Sequence, residues 1–286
     1  MKFPPFEYIR PESLSEALEA LETDESRVLA GGQSLLPLMA LRLSWPELLV
    51  DVGRLKELSD VNHDAHAATL TIGAAVTHAA VADNPTVKRH APFLVTAAGH
   101  IGHEAIRARG TIGGSIAHCD PAAEWVAVAV ALGATVQLES RKGARAVPAG
   151  EFVAGPYMTA IDEGEMVTAI EFDLSSRPTV GIAEASRRPG DFAMAGAVCV
   201  QDGTTGATSL TLFGVATSPV RLDLGPGRSE ADVSAAARDW IDAIDGVTDD
   251  AQASARLRVH LAKQMVDAAL ANARHGQSQG RVTHAD

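Results

Sequence analysis

"LAGGQSLLPLMALRL", residues 29–43, sets two adjacent glycines and a polar pair between a short apolar run and a longer one. Glycine loses more conformational freedom on folding than any other residue, so it suits places where the backbone turns with φ > 0 or comes close to a ligand. The same device returns in "RGTIGGSIAHCDPAAEW", residues 109–125, where Gly113 and Gly114 are followed by Ser115. Successive backbone N–H groups in such turns form anion-binding nests, and Ser34, Thr111 and Ser115 can add hydroxyl donors. Two facing nests would hold a pyrophosphate without any lysine. Two ordinary Gly-Gly turns would look the same, and spacing alone leaves both readings open.

The familiar nucleotide signatures are absent. No G-x-x-x-x-G-K-[ST] occurs, and no G-x-G-x-x-G opens a βαβ unit, which excludes P-loop and Rossmann readings. The chain has 286 residues, enough for about two domains. Its net charge of −12 argues against nucleic acid as a partner, since phosphate-backbone affinity needs clustered Lys and Arg. No stretch approaches the roughly 18 apolar residues of a membrane span. The opening "MKFPPFEYIRPES" carries prolines and acids where a signal peptide has an apolar run, so a cytoplasmic protein is expected.

Cys119 and Cys199 are the only cysteines, too few to hold an ordinary [2Fe–2S] cluster. Cys119 reads as a small buried thiol, and neither it nor its neighbour His118 is placed for nucleophilic catalysis. His118 is expected to be a bystander. His100-x-x-His103 has no acidic or cysteine partner at a recognisable interval, so it reads as exposed or helix-capping and not as a metal site.

Ser13-x-x-Glu16 is a capping box that starts a helix near Leu14. "RVLA", "LLVDVG" and "TLTIGA" read as strands, the last followed by a Thr77-capped helix, and "APFLVTAAGHIGH" as a buried helix. Asp120-Pro121 is expected to open a further helix, apolar nearly all round, that stops at Gly133. Glu124 is then a carboxylate in the first turn of a buried helix. "ATVQLES", "ARAVPAGEFV" and "EMVTAIEFDL" add a strand-rich stretch. "SSRPTVG" is the expected domain boundary, dividing 1–176 from 177–286. Beyond it come two long strands joined by a Gly/Thr turn and a helix opened by Ser229-x-x-Asp232. A last helix carries Leu257, Leu261, Met265 and Leu270 on one side and ends near His275-Gly276, with a loose tail after it.

At these residues a resemblance can be stated. "AGGQSLLPLMALRL" and "IRARGTIGGSIAHCDPAAEW" closely resemble signatures of the FAD-binding medium subunit of molybdenum hydroxylases, the carbon monoxide dehydrogenase flavoprotein-like branch of the xanthine dehydrogenase family. "FEYIRPESLSEAL", "LTIGAAVTH", "GEMVTAIEF" and "RRPGDFAMAGAV" extend the likeness over almost the whole chain. The resemblance implies an α+β fold: an FAD-binding domain of the vanillyl-alcohol oxidase (PCMH) type with two α+β subdomains over 1–176, then a smaller domain with an antiparallel sheet and helices.

It also implies a site. Ala30, Gly31, Gly32, Gln33, Ser34 and Leu35 match the family's first FAD loop, and Thr111, Ile112, Gly113, Gly114 and Ser115 the second, both lying against the pyrophosphate. Glu124 matches an acid that hydrogen-bonds the flavin's polar chain. Asp120 belongs to the same turn, and residues 98–101, ending at Ile101, flank the flavin ring. Many relatives carry Asn where Ser115 stands, and a basic residue where this chain has "IAEAS", residues 182–186. The roles of Glu184, Asp191 and Phe192 near the flavin stay open.

FAD is expected to be non-covalent. Molybdopterin and [2Fe–2S] clusters are expected only in a large and a small partner subunit, in a dimer of heterotrimers. The chain passes electrons onward and needs no side chain as general acid or base, no metal ligand and no membrane span. The rival readings are a free-standing FAD oxidoreductase on the same fold and a flavin-free scaffold.

Overall fold

Short apolar strands and capped helices alternate from the start, and the computed structural model describes residues 3–280. Strands β1 (Glu7–Ile9), β2 (Ser26–Leu29) and β3 (Leu48–Asp51) form a parallel sheet in the order β1-β3-β2. Between them run α1 (Leu14–Ala20) and α2 (Leu35–Ala40). Ser13 caps α1 by accepting from the Glu16 N–H at 3.2 Å, while Glu16 reaches back to the Glu12 N–H at 2.8 Å. The reciprocal half of the cap therefore closes one residue earlier than the usual box. Leu18, Val50, Leu55 and Leu58 bury the inner face of this layer.

β4 (Val61–Asp64) and β5 (Thr69–Gly73) follow, then α3 (His78–Asp83), α4 (Pro85–His90), α5 (Pro92–His100), α6 (Glu104–Arg107), α7 (Ile112–His118) and α8 (Glu124–Leu132). Thr77 caps α3 as expected, accepting from Ala80 N–H at 3.1 Å. β6 (Thr135–Ser140), β7 (Gly143–Pro148), the single turn α9 (Ala149–Phe152), the pair β8 (Val153–Gly155) and β9 (Met158–Thr159), and β10 (Met166–Asp173) complete this half. The larger strands make an antiparallel sheet in the order β4-β5-β10-β6-β7.

The start of α8 corrects the sequence expectation. Asp120 accepts from Ala122 N–H at 2.8 Å in a local turn, and the helix begins at Glu124 with Ala123 as its cap residue. An Asp-Pro pair serves an Asx turn as well as a helix cap. The stop is as expected, with Gly133 in the left-handed region at φ 60°.

β11 (Thr179–Ala185), β12 (Ala195–Gln201), β13 (Thr208–Phe213) and β14 (Val220–Leu224) form an antiparallel sheet in chain order, followed by α10 (Glu230–Asp242) and α11 (Ala255–Gly280). Ser229 and Asp232 form the expected capping box on α10. β13 is buried at every position, because α8 lies on one face of this sheet and α11 on the other. Ile182, Val198 and Phe213 accordingly join Leu94, Ala97, Trp125 and Val128 in one core that runs across the 176/177 position. Arg221 reaches from β14 to the Val130 and Ala131 carbonyls at 3.0 and 2.8 Å, closing the end of α8.

The buried stripe of α11 is Ala262, Val266, Ala269, Leu270 and Ala273, while Leu257 is exposed. Of the expected face, Leu270 is buried and Leu261 and Met265 pack against the same core, so only Leu257 falls outside it, and the alanines between them let α11 sit close on β11. The helix also runs past His275-Gly276 to Gly280, and the rest of the tail lies outside the described residues. No described helix is long and apolar enough to cross a membrane.

Trp125 Nε1 donates to His78 Nδ1 at 2.9 Å inside this core. Burial, with the nearby Arg107 charge, lowers the His78 pKa from 6.5 to about 4. The unfolded chain therefore takes up this proton first, so stability falls as pH drops from 6.5 to about 4, by about 3 kcal/mol in total. Denaturant unfolding measured across that window should show the loss, and His78→Gln should flatten it. Superimposable acid limbs for the two proteins would exclude His78 as its origin.

Candidate functional site

The two glycine segments meet edge to edge. A Cβ on Gly31 would lie 2.1 Å from the Arg109 carbonyl oxygen and 2.7 Å from the Gly110 α-carbon. Gly113 is pressed as tightly on Ala74, where a Cβ would come within 2.4 Å of the alanine side chain. Across the same seam, a Cβ on Gly114 would stand 3.7 Å from that of Ala30. The second segment is pinned from behind by a Thr77–Thr111 bridge and by His78 N–H donating to Gly110 O at 2.9 Å. Sequence reasoning missed that brace, although the Thr77 cap pointed to it.

The segments differ in what they offer. Gly32 turns the first through φ 71°, and Ala30 to Leu36 are all half-buried. The backbone N–H groups of Gly31, Gly32, Gln33, Ser34 and Leu35 donate to no acceptor among the described residues; the first helical bond is Leu36 N–H to Gly32 O at 3.2 Å. Gln33 folds back to give its Nε2 to Gly31 O at 3.0 Å. This is a row of unused donors on a rigid turn.

In the second segment the donors are spent. Ile112 N–H goes to Val76 O, Gly113 N–H to Ala74 O and Ser115 N–H to Thr111 O, each at 3.0 Å, and Gly114 N–H goes to Thr111 Oγ1 at 3.0 Å. Gly113 and Gly114 lie in the first turn of α7 with ordinary helical backbone, so the expected second nest is not there. Their glycines serve close approach instead. What this segment can present is the hydroxyl of Thr111 and that of the half-buried Ser115.

A second group gathers where α5 ends, α8 begins and β11 passes. Ile101 is buried at the end of α5, and its carbonyl and that of Gly102 accept from Arg107 Nη1 at 3.0 and 2.7 Å. Asp120 is buried with both oxygens engaged, one by Ala122 N–H and the other by Tyr157 O–H at 3.1 Å. Glu124 is only 7 % exposed. Burial first, then repulsion from Glu184, pushes its pKa up to about 8. His100 Nδ1 stands 3.5 Å from Glu184 Oε1, so this histidine is engaged rather than idle. Glu184 raises the pKa of His100 through that contact.

Asp191 and Phe192 sit in the β11–β12 connection, where Phe192 is exposed. Gly190 in that loop packs on Gly102 and His103. Both cysteines are free and buried, and burial pushes Cys119 to about 11 and Cys199 to about 12, consistent with inert core thiols. His118 lies beside Tyr157, their ring centres 5.2 Å apart.

Comparison with known proteins shows the family. Residues 4–173 match the family described as the FAD binding domain in molybdopterin dehydrogenase. The chain is 40% identical over 208 residues to the nicotine 6-hydroxylase medium subunit of Paenarthrobacter nicotinovorans, covering 70% of each. It is 35% identical to the carbon monoxide dehydrogenase medium chain of Hydrogenophaga pseudoflava, over 93% of this chain and 96% of that one. A solved carbon monoxide dehydrogenase from Hydrogenophaga pseudoflava, lacking the Mo-pyranopterin moiety of its cofactor, superposes with a TM-score of 0.89 at 34% identity, over 96% of this chain and 99% of its own. The chain belongs to the FAD-binding molybdopterin dehydrogenase family: it is an α+β, PCMH-type FAD subunit, the medium subunit of a molybdenum hydroxylase.

Proposed function

We propose that this chain takes electrons from a [2Fe–2S] partner subunit and passes them through FAD to an external acceptor. It would do so in the cytoplasm, in a dimer of heterotrimers whose large subunit carries molybdopterin. The observation that carries the reading is the meeting of the two glycine segments, with a row of unused backbone donors on one side. The residues fit the cofactor: Gly31 to Leu35 offer N–H groups to a pyrophosphate, and Thr111 and Ser115 add hydroxyls. Ala30, Ile112, Gly113 and Gly114 form the floor that lets these groups approach. Ile101 would flank the flavin ring and Glu124 would hold its polar chain, whereas Asp120, with both oxygens occupied, orders the turn between α7 and α8. On this reading residues 1–176 are the FAD-binding domain and 177–286 a second, smaller domain. When bound, FAD accepts electrons from one partner and releases them to another; the protein supplies position and electrostatics.

Gly31→Ala and Gly113→Ala should each cut FAD occupancy at least tenfold, because the new Cβ collides with backbone or a fixed alanine. Gly114→Ala meets only Thr111 Oγ1 at 3.0 Å and gains helix propensity, so most of the flavin should stay. Flavin absorbance of the purified variants reads the contrast; full occupancy in the first two would sink the seam as the binding site. Acid precipitation should release the yellow chromophore, and its retention on the polypeptide would show a covalent bond.

The lone FAD-loaded chain, mixed anaerobically with substrates of the complex, should leave flavin absorbance unchanged. Adding both partner subunits should bleach it. Bleaching by the lone chain at the rate of the complex would favour the free-standing oxidoreductase.

A further inference from the structure

Glu184 is an expensive residue where it stands. Its side chain is 5 % exposed, its Oε2 has no hydrogen-bond partner, and its Oε1 faces His100 Nδ1 at 3.5 Å. A buried carboxylate with a free oxygen costs stability unless it is neutralised or shares a charge. Ile182, two residues earlier on β11, enters the core shared with α5 and α8, whereas Ala183 enters the core under α11. Glu184 therefore points to the α5 and α8 side, where Glu124 opens α8.

Glu184 and His100 are thus in contact, and the charge state of the buried Glu124 responds to both. His100 is the more open to solvent, its side chain 33% exposed against 5% for Glu184. The charged groups acting on Glu124 are Glu184, His100 and Asp120, and those acting on His100 are Glu184 and Glu124. On the far face of β11, Arg258 of α11 is committed to Asp250 and to the Met194 and Gly214 carbonyls, so it does not neutralise the pair. Burial first, then the neighbouring Glu184, keeps the Glu124 carboxyl protonated up to about pH 8.

We propose that Glu124, with Glu184 beside it and His100 toward solvent, holds one exchangeable proton and delivers it to the flavin ring as the bound FAD is reduced. This rests on the cofactor reading above, in which Ile101, the residue after His100, lies beside that ring. The balance is simple. Two electrons arrive from the partner's iron–sulfur cluster, a carboxyl O–H bond breaks, and an N–H bond forms on the ring. The carboxylate pair is left with one more negative charge, and a solvent proton entering by way of His100 restores it. Glu184 and His100 are positioning residues for this proton.

The test reads the midpoint potential of FAD in the full chain against pH, with FAD content measured on the same samples. Wild type should show a break near pH 8, where Glu124 loses its proton. Glu184→Gln removes a repelling charge and should move the break down by about one pH unit. His100→Asn removes an attracting one and should move it up by about as much. Bound FAD with three superimposable profiles overturns the proton store and leaves the cofactor reading intact. Wild-type chain that takes up no FAD overturns the cofactor reading. The FAD-free chains then decide the store by the infrared carbonyl band of a protonated carboxyl: the same opposite shifts on titration support it, and identical titrations overturn it.

Discussion

The contact between Gly31 and the backbone of Arg109 and Gly110 governs the rest of the site. Two main chains from distant parts of the sequence touch with no side chain between them. That contact sets the height of the first segment over α7, and the seating of Gly113 on Ala74 fixes α7 against the end of β5. His78 holds the assembly from inside, donating its backbone N–H to Gly110 O and receiving the Trp125 indole N–H on its ring. Trp125 is the second residue of α8, so the first segment, the second segment and the acid cluster are bound into one rigid body. A methyl group at the seam is felt at all three.

The two segments divide the labour. One presents donors and uses none of them internally; the other uses its N–H groups to build a helix start and contributes shape. A site with donors unused on both sides would leave twice as many polar groups to satisfy in a half-buried seam, at a cost of about 1–3 kcal/mol for each left unpaired. Concentrating them on one half-buried turn keeps them solvated in the absence of a ligand. The second half can then be packed like core, as the burial of Ile112, Gly113 and Ile116 shows.

Local signals carried far in this chain, and non-local ones did not. Ser13, Thr77 and Ser229 announced their helices because a cap is decided within four residues. The glycine pairs pointed to close backbone approach, which the structure shows, but not to the asymmetry of the two segments, since an N-capped helix start and a nest draw on the same residues. Asp120-Pro121 read as a helix start and proved to be the turn before it, for the same reason. The face of α11 was legible except for Leu257, but the alanines that let the helix lie close on a strand were not picked out. The pairing of His100 with Glu184 was invisible: one sits at a helix end and the other on a strand beyond the expected boundary, and only the packing of α5 on β11 joins them. The continuous core through Phe213 has the same origin.

An acidic chain that binds a dianionic linker faces an electrostatic problem, and the arrangement here answers it without lysine. Backbone amides and hydroxyls carry no net charge, so they hold an anion while adding nothing to the long-range field. Glu124, Glu184 and His100 act on one another's charge, the two carboxylates from buried positions. A lysine at the pyrophosphate would have fixed a positive charge whatever the state of the cofactor. Neutral donors avoid that, and on the proposal above the Glu124 proton is then free to balance charge that arrives at the flavin.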